Sequence, residues 1–361
     1  MEKVTEGEVT VRTTDDVFYN PDMEMNRDIT VAVLNAVSGE DDPGETTYAD
    51  AMTATGIRGV RAAVEAGVDV TMNDRSPDAV DLARSNLEEN DADGDVVRSD
   101  SNVFMWSKTA DVVDVDPFGS PVVFADSAFN SAQSVACFTA TDTAPLCGAH
   151  SSDRRRYSAV PLNTEYHPEM GLRVLIGALV RTAARHDVAA EPVLSHVSDH
   201  YVRTYMSLDT GGKVANASLE GLGYISHCFD CYYRTSSHGM IFDGERDCPN
   251  CGSEMRVAGP LWIDSVRDPE FVDEVRDEIE RYMGTYKRAR KVLRLVRDEI
   301  ETPTHYDHHK LSKKWGVTPY KIDESVEMIR EAGFEASRAH YSGTAIKTDA
   351  DVDELEEFVG E

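Results

Sequence analysis

Four of the six cysteines form two pairs, and each pair has the spacing that zinc sites use. Cys228 and Cys231 are the first pair, Cys248 and Cys251 are the second, and sixteen residues separate the pairs. Four thiolates at this spacing can surround one Zn²⁺ ion tetrahedrally and leave no open position on it. The sequence therefore predicts a structural zinc site in an insert at about 226–256. Redox-active dithiols are the alternative.

A second group of residues could accept a proton from a planar base and stack on it. Asp116, Pro117, Phe118 and Gly119 follow the apolar segment DVVDV. Methylation of an amino group needs an acceptor that orients the N–H bonds and finally takes the proton, and an aromatic ring can hold the base. Asp116 is the predicted acceptor and Phe118 the predicted platform. An ordinary β-turn is the alternative, since Asp-Pro is common in turns.

A third group has the pattern of a nucleotide site. Small residues and glycines fill the segment from Asp50 to Gly59, which lies between a predicted strand and a predicted helix. Asp74 ends the next predicted strand, eighteen residues after Gly56. Doubly wound folds place an acid there to bind ribose hydroxyls. We predict this role for Asp74; a turn glycine followed by a surface aspartate is the alternative.

Alternating strand and helix patterns connect these residues. The strands are separated by helices, and the second helix begins with Ser76 and Pro77, a strong start signal. This alternation predicts an α/β fold with a parallel, doubly wound sheet and a ligand site at the carboxyl ends of its strands. The predicted strands are 47–52, 68–74 and 111–121, and the predicted helices are 55–67, 76–90 and 170–185.

We expect two domains. Residues 1–260 contain the sheet and the zinc insert, and residues 261–361 form a smaller, mostly helical domain in which 308–343 resembles a winged-helix pattern. No apolar run approaches the roughly 20 residues of a membrane span, and the N-terminus lacks a signal-peptide pattern. The sequence therefore predicts a cytoplasmic protein without a membrane partner.

The charge of the chain is unusual. Its 361 residues include 36 Lys and Arg against 66 Asp and Glu, which gives a net charge of −30. Aspartate outnumbers glutamate by 37 to 29, and only 10 of the basic residues are lysines. This composition is typical of extreme halophiles, in which molar salt screens the repulsion to about 3 Å. It favours adaptation to salt over an acidic surface that seeks basic partners.

Residues 281–297 are the exception, with seven basic side chains and no acid. On a helix, five of the basic residues share one face, and apolar residues occupy the opposite face. We predict that the basic face binds RNA phosphates, with a merely solvated face as the alternative. Arg154, Arg155 and Arg156 are a second candidate. The five residues of the basic face are Lys287, Arg290, Lys291, Arg294 and Arg297.

Seven segments of the chain together have a recognisable pattern: 17–28, 54–67, 73–80, 114–121, 139–150, 161–175 and 331–349. Through them the chain resembles the tRNA (guanine-26-N2) dimethyltransferase family, here from a halophilic archaeon. The resemblance implies a class I (Rossmann-like), S-adenosylmethionine-dependent methyltransferase with tRNA as partner. Such an enzyme places two methyl groups on the exocyclic N2 of the guanosine between the D and anticodon stems. The sequence itself indicates no obligate protein partner.

The resemblance also implies roles for single residues. Arg27 and Arg58 would contact the cofactor, including its methionine carboxylate, while Asp100 and Ser101 would bind the adenine edge. The family often has Asp-Ala at the latter pair, so Ser101 is expected to act through its backbone. Phe18 would join Phe118 in a sandwich around the guanine.

Two other functions stay open. Asp-Pro-Phe-Gly does not choose the base, so the enzyme could methylate the amino group of another guanine or adenine in RNA or DNA. A non-catalytic zinc-ribbon RNA-binding protein on an inactive scaffold is the other possibility. The intact set of Asp116, Asp74 and Arg27 argues against it.

Overall fold

The computed structural model describes residues 2–39, 43–150, 153–198 and 200–360, with no side-chain description for Pro43 and Asp153. Its strands are β1 (Glu2–Glu6), β2 (Val9–Thr13), β3 (Thr47–Asp50), β4 (Asp69–Asp74), β5 (Asp95–Arg98), β6 (Ala110–Val115), β7 (Ala132–Ala140), β8 (Val188–Ser198), β9 (Tyr201–Thr210), β10 (Leu222–His227), β11 (Arg234–His238), β12 (Arg256–Trp262), β13 (Tyr306–Asp307), β14 (Ala336–Arg338) and β15 (Ala345–Thr348).

The α-helices connect and cover these strands. None within the described ranges is both long and apolar enough to span a membrane. They are α1 (Glu24–Ser38), α2 (Ile57–Glu65), α3 (Pro77–Glu89), α4 (Ser101–Ser107), α5 (Ala125–Ser131), α6 (Thr143–Leu146), α7 (Asp153–Tyr157), α8 (His167–Ala184), α9 (Gly212–Ser218), α10 (Pro269–Asp277), α11 (Tyr286–Asp298), α12 (His308–Trp315), α13 (Ile322–Glu331) and α14 (Val352–Val359).

A seven-stranded sheet has the strand order β5-β4-β3-β6-β7-β9-β8. Strands β5, β4, β3, β6 and β7 run parallel to one another. The predicted α/β fold is confirmed, and the order of the chain reverses between β3 and β6, where open sheets of this kind bind ligands. Asp50 lies opposite Asp114 at this point, so the ends of the two strands are in register.

The turn from β3 into α2 explains why the sequence places glycine there. Gly56 has a φ of +84°, and a Cβ at this position would lie 2.9 Å from the Cβ of Ala83 in α3. Glycine therefore permits both the left-handed turn and the close approach of the two helices. The next helix begins at Pro77 as predicted, but Ser76 makes no side-chain cap; instead the Ser76 amide donates to Asp74 Oδ1 at 2.9 Å.

The chain forms two compact units, and each is assembled from separate segments. The first unit comprises Met1–Thr139, Tyr205–Asp209 and Pro269–Arg294. The second comprises Ala140–Thr204, Thr210–Asp268 and Leu295–Glu361. The predicted boundary near residue 260 follows the order of the chain and stays a prediction, whereas the compact units are interleaved.

The end of the second unit contains a small sheet of three antiparallel strands in the order β13-β15-β14. Helices α12 and α13 lie between β13 and β14 in the chain, which is the strand–helix–helix–strand–strand order of a winged helix. Its core includes Tyr306, Leu311, Val326, Ile329 and Ile346. This order agrees with the winged-helix pattern that the sequence indicated for 308–343, and helices make up most of the regular structure in residues 261–361.

Candidate active site and four-cysteine cluster

Carboxylates and one guanidinium meet at the carboxyl ends of β3 and β6. Asp50 ends β3, while Asp114 and Asp116 lie at the end of β6 and just beyond it. Arg58 reaches them from the first turn of α2: its Nη1 is 3.7 Å from Asp114 Oδ2, and its Nη2 forms an ion pair with Asp116 Oδ2. This ion pair is largely shielded, since the Asp116 side chain is 18% exposed and that of Arg58 is 8% exposed.

Helix α1 fixes the position of the Arg58 guanidinium. Nη1 donates to Asn26 Oδ1 at 2.8 Å and to Thr30 Oγ1 at 2.9 Å. The Thr30 hydroxyl is itself 3.0 Å from the Tyr205 hydroxyl. These bonds direct Arg58 toward Asp116, so the structure brings together a predicted cofactor contact and the predicted proton acceptor.

Asp50 has an unusual electrostatic environment. Its side chain is buried, and burial together with the negative charge of Asp114 raises the pKa of Asp50 to about 7, although Arg58 opposes the shift. Oδ1 accepts a bond from the Met52 amide at 3.3 Å, and this amide and the Thr53 side chain both oppose the rise in the pKa of Asp50. A carboxyl group whose pKa is shifted this far from its ordinary value is a common feature of binding sites.

The two predicted aromatic residues are neighbours at the surface. Phe18 is 50% exposed and Phe118 is 76% exposed. Their ring centroids are 4.3 Å apart and the ring planes are inclined at 74°, an edge-to-face contact. A base between two parallel rings needs centroids about 7 Å apart, given carbon contacts of roughly 3.5 Å on each side. The rings must therefore separate before they can enclose a base.

Asp74 supports the turn that precedes α2. Its Oδ2 accepts a bond from the Ala54 amide at 3.1 Å, while Oδ1 accepts from Ser76. Ala54 has a φ of +48°, which is unusual for a residue with a Cβ, and the bond to Asp74 helps to hold this conformation. Each carboxylate oxygen has a second acceptor position, so Asp74 can also receive hydroxyl donors.

Asp100 and Ser101 lie at the start of α4. Asp100 Oδ1 accepts bonds from the Asn102 amide at 3.0 Å and the Val103 amide at 3.4 Å, so Asp100 caps the helix. The Ser101 hydroxyl donates to the Ala51 carbonyl at 3.0 Å. This bond ties the end of β3 to the start of α4 and leaves the backbone of Ser101 for any ligand contact.

Arg27 is bound to an acid that the sequence reading did not single out. Its Nε donates to Glu6 Oε2 at 2.7 Å and its Nη2 to Glu6 Oε1 at 2.5 Å. Nη2 also donates to the Asn20 carbonyl at 3.0 Å. Tyr19 donates its hydroxyl to the same Glu6 at 2.7 Å. Arg27 therefore fixes the segment before α1 to β1 and keeps only Nη1 without a bond among the described residues.

Sequence reasoning gave no role to Asn26, Thr30, Asp50, Asp114 or Glu6. Two of them had a readable signal: Asp50 ends β3 and Asp114 is the next-to-last residue of β6, both at the ligand edge of the sheet. Asn26 lies directly before Arg27 in a segment that was singled out, but its contact with Arg58 depends on how α1 packs against α2. Nothing in the sequence marks Glu6 as the partner of Arg27.

The four predicted zinc ligands are brought together in the second unit. The sulfur atoms of Cys228, Cys231, Cys248 and Cys251 all lie within 4.8 Å of one another. Two of the sulfur–sulfur distances are 3.4 and 3.5 Å. Sulfur atoms bound to one Zn²⁺ at about 2.3 Å in a tetrahedron have similar separations, so the cluster fits this ion.

The two cysteine pairs have the same backbone arrangement. The Cys228 amide donates to the Tyr233 carbonyl at 2.8 Å, and the Cys248 amide donates to the Ser253 carbonyl at 2.8 Å. In each turn a residue with positive φ follows the second cysteine: Tyr232 at +68° and Gly252 at +73°. We call these two turns, residues 228–233 and 248–253, the knuckles. Their matching geometry directs all four thiols to one point.

The basic segment forms a helix only from Tyr286, five residues after the segment begins. The predicted apolar face consisted of Val292, Leu293, Val296 and Ile300. Leu293 and Val296 are buried, whereas Val292 and Ile300 are half-buried and Ile300 lies beyond the end of the helix. Two residues of the basic face have partners of their own: Arg290 Nη1 donates to the Arg276 carbonyl at 2.6 Å, and Arg297 pairs with Asp298 at 2.7 Å. The other three residues of the basic face are exposed and form no ion pair within the described ranges: Lys287, Lys291 and Arg294.

The three consecutive arginines lie on α7. Arg156 pairs with Asp142 at 2.7 Å, and Arg154 and Arg155 are exposed. The two cysteines outside the cluster, Cys137 and Cys147, are buried free thiols.

Comparison with known proteins gives matches over nearly the whole chain. A family model for N2,N2-dimethylguanosine tRNA methyltransferase matches residues 1–359. The tRNA (guanine(26)-N(2))-dimethyltransferase of Haloarcula marismortui is 51% identical and covers 98% of this chain and 99% of its own length. The enzyme of the same name from Haloquadratum walsbyi is 53% identical and covers 94% and 91%. Both relatives come from halophilic archaea, which agrees with the salt adaptation read from the composition.

A solved structure has the same fold. It is the complex of Trm1 from Pyrococcus horikoshii with S-adenosyl-L-methionine, which is 34% identical to this chain. The TM-score is 0.90, and the match covers 99% of this chain and 100% of the other.

The raised pKa of Asp50 predicts a pH-dependent effect on stability. Because the folded-state pKa is about 7 and the ordinary value is 3.8, the contribution of Asp50 to stability is full at low pH and is lost as pH rises through 7. Asp50→Asn should therefore raise the free energy of unfolding at pH 8 by up to about 4 kcal/mol and change it little at pH 4. Unfolding monitored by circular dichroism at both pH values measures this.

Asp69→Asn is the matched control, since Asp69 is an exposed aspartate at the start of the neighbouring strand β4. If both substitutions changed the free energy of unfolding at pH 8 equally, burial of Asp50 could not be the cause of the stabilisation.

The cysteine cluster predicts one bound zinc ion per chain. Cys228→Ser should lose the metal and lower the melting temperature by on the order of 10 °C, because metal binding contributes directly to folding. Metal analysis and thermal unfolding check this. Cys147→Ser is the control: its hydroxyl can keep the bond that Cys147 Sγ donates to the His167 carbonyl, and it should retain the zinc. Purified wild-type protein without stoichiometric zinc would contradict the assignment.

Proposed function

The chain belongs to the N2,N2-dimethylguanosine tRNA methyltransferase family, and from this membership we propose how its residues transfer two methyl groups to the exocyclic N2 of guanosine 26 in tRNA. The methyl donor of this reaction is S-adenosylmethionine, which supplies an electrophilic methyl group on a sulfonium. The observation that carries the proposal is that Asp116 and Phe118 directly follow β6 at the ligand edge of the sheet, where Arg58 pairs with Asp116 and Phe18 contacts Phe118.

The edge of the sheet fits a ligand with a positive amino group and ribose hydroxyls. Asp50 and Thr53 are buried polar residues at this edge, and the Thr53 side chain interacts with the Asp50 carboxylate. A ligand amino group could also donate to this carboxylate and would compensate its charge. Asp74 has acceptor positions left for the ribose hydroxyls.

The remaining cofactor contacts are proposed at single atoms. Arg27 can offer Nη1 to the methionine carboxylate, because its Nε and Nη2 are bonded to Glu6. Arg58, the other proposed cofactor contact, pairs with Asp116. Asp100 uses Oδ1 to cap α4, so Oδ2 is the atom proposed to accept from the adenine amino group. The backbone of Ser101 completes the adenine contact.

Asp116 orients and deprotonates the guanine amino group. The lone pair of N2 is delocalised into the base, so the amino group is a weak nucleophile until an acceptor binds its N–H bond and lets the nitrogen become tetrahedral. Arg58 holds Asp116 Oδ2, which leaves Oδ1 to accept this N–H bond. As the methyl group bonds to N2, the proton passes to Asp116 and the sulfonium leaves as a neutral thioether.

The same acceptor explains why two methyl groups are added and no more. The amino group of guanine carries two N–H bonds, and each transfer consumes one. After the first transfer, rotation about the C2–N2 bond presents the remaining N–H to Asp116. A dimethylated N2 has no proton left for the carboxylate, so the reaction ends there.

Phe118 and Phe18 are proposed to hold the guanine after it leaves the helical stack. Stacking against aromatic rings is the usual way in which enzymes bind an extruded base. Both rings are exposed, so they can separate from their edge-to-face contact at little cost. We propose that the base enters as the rings part and that Phe118 stays as the platform nearest Asp116.

The basic surfaces are proposed to bind the rest of the tRNA. Lys287, Lys291 and Arg294 form a stripe on α11, and Arg155 on α7 is a second point of contact. Residues 261–361 would then act as a tRNA-binding domain, and a tRNA substrate places the reaction in the cytoplasm.

Methyl transfer to unmodified tRNA tests the function directly. Labelled S-adenosylmethionine and a tRNA transcript are incubated with the protein in multimolar KCl, and the modified nucleoside is identified and mapped. We expect label as N2,N2-dimethylguanosine at position 26. A transcript with adenosine at that position is the control, and label in it would exclude the proposed site.

Asp116→Asn should abolish turnover. The amide can no longer take the proton, so the single-turnover rate should fall at least about 100-fold while the affinity for S-adenosylhomocysteine changes little. Rapid-quench kinetics and calorimetry measure the two quantities. Asp81→Asn, at an exposed position on α3, is the control. A near-normal rate in Asp116→Asn would remove this residue from its role.

Phe118→Ala should weaken binding of the target base by about 1–3 kcal/mol, because one stacking surface is lost. The rate of methylation at subsaturating tRNA reports this loss. Phe118→Tyr keeps an aromatic ring and should therefore retain the wild-type rate. Val123→Ala is the comparison, since Val123 is 69% exposed and has no proposed role in binding. Equal rates for Phe118→Ala and wild type would contradict the stacking role.

A further inference from the structure

A second basic segment lies in the second unit, in a chain where lysine is scarce. Residues 308–322 contain four of the ten lysines and no aspartate or glutamate, although Asp307 and Asp323 flank them directly. The segment forms α12 and the turn that leads to α13. Its charge of +4 contrasts with the net charge of −30 for the whole chain.

The charges of this segment face solvent. Lys310 and Lys313 are exposed, lie three residues apart on the same face of α12, and form no ion pair within the described residues. Leu311 and Ser312 are buried on the other side. Lys321, at the start of α13, is also exposed, with its ammonium 3.6 Å from Glu324.

The following helix has the opposite charge. α13 contains Asp323, Glu324, Glu327 and Glu331 and a single basic residue, Arg330. In helix–turn–helix proteins the second helix of the pair usually enters the nucleic acid groove. An acidic α13 would be repelled by phosphates, so on this face α12 is the element that can approach them.

One of the knuckles holds α12 in place. Lys314 donates from Nζ to the Asp230 carbonyl at 2.6 Å, and the same ammonium is 5.4 Å from the centroid of the Tyr232 ring. The Tyr232 amide donates to the Cys228 carbonyl at 2.9 Å. Tyr232 and Tyr233 also pack against the apolar core that includes Leu311 of α12.

We propose that α12 presents Lys310 and Lys313 to the phosphate backbone of tRNA, and that the four-cysteine cluster supports this helix rather than binding RNA itself. The proposal rests on the proposed function, because it takes tRNA as the ligand. Residues 228–256 carry three arginines and five acids, so the cysteine insert is itself acidic. In molar salt only direct ammonium–phosphate contacts retain much attraction, and exposed lysines without partners can make them.

Charge reversal at matched lysines tests the surface. Lys313→Glu and Lys213→Glu change the charge equally, and Lys213 is an exposed lysine on α9 of the same unit. The affinity for unmodified tRNA is measured by filter binding in KCl between about 1 and 3 M. We expect Lys313→Glu to weaken binding about fivefold and Lys213→Glu to change it less than twofold. Lys313→Arg should keep the wild-type affinity.

The double variant Lys310→Glu/Lys313→Glu should weaken binding by about tenfold or more and lower the slope of log affinity against log salt by about 2, one for each phosphate contact. Its melting temperature should match that of the wild type. Equal tRNA affinities for Lys313→Glu and Lys213→Glu would overturn the proposal. If the wild type bound tRNA through these lysines but methylated a different guanosine, the proposed function would fail and this surface would stand.

Discussion

The buried guanidinium of Arg58 is the interaction on which the geometry of the active site depends. Asp50, Asp114 and Asp116 converge at the ends of β3 and β6, where their mutual repulsion is opposed by this one cation. Because Asn26 and Thr30 of α1 hold Arg58, the first helix, the glycine turn and the Asp116 turn are coupled through a single side chain. A buried cation of this kind stabilises little by itself, but its removal would leave uncompensated carboxylates. It therefore fixes where Asp116 Oδ1 points, which is the property that the reaction needs.

The net charge of −30 and the binding of a polyanion are compatible because the basic residues are segregated. Lysines and arginines occur singly over most of the chain and often beside acids, whereas residues 281–297 and 308–322 carry groups of them without an acid. In high salt, attraction over long distances is screened, so the acidic surface does not prevent approach. Affinity then has to come from close-range contacts and from stacking on Phe118. Salt weakens these interactions less than it weakens the long-range electrostatic attraction of the tRNA.

The fold and the four-cysteine cluster were predictable from the sequence, whereas the contacts between the site residues were not. The alternation of strands and helices between 47 and 126 and the CxxC pairs are local patterns, and the structure confirmed both. The contacts of Arg58 and Arg27 are not local: Arg58 reaches Asp116 across 58 residues, and Arg27 reaches Glu6 across 21. Which acid pairs with which arginine depends on helix packing, which has no periodic signature. The edge-to-face contact of Phe18 and Phe118 was missed for the same reason, since the resemblance implied only the form that binds a base.

The cysteine cluster illustrates how a site without chemistry of its own can matter for a reaction elsewhere in the chain. Four thiolates without an open position cannot activate a substrate, and the acidic insert around them would repel phosphates. Its knuckle nevertheless holds Tyr232 in a left-handed conformation, and this tyrosine and the Asp230 carbonyl engage Lys314. A metal that fixes the knuckle 228–233 thus also fixes the end of α12. The exposed lysines of that helix are Lys310 and Lys313. On this argument the zinc acts on substrate affinity through backbone geometry, and the chemistry of methyl transfer stays with Asp116.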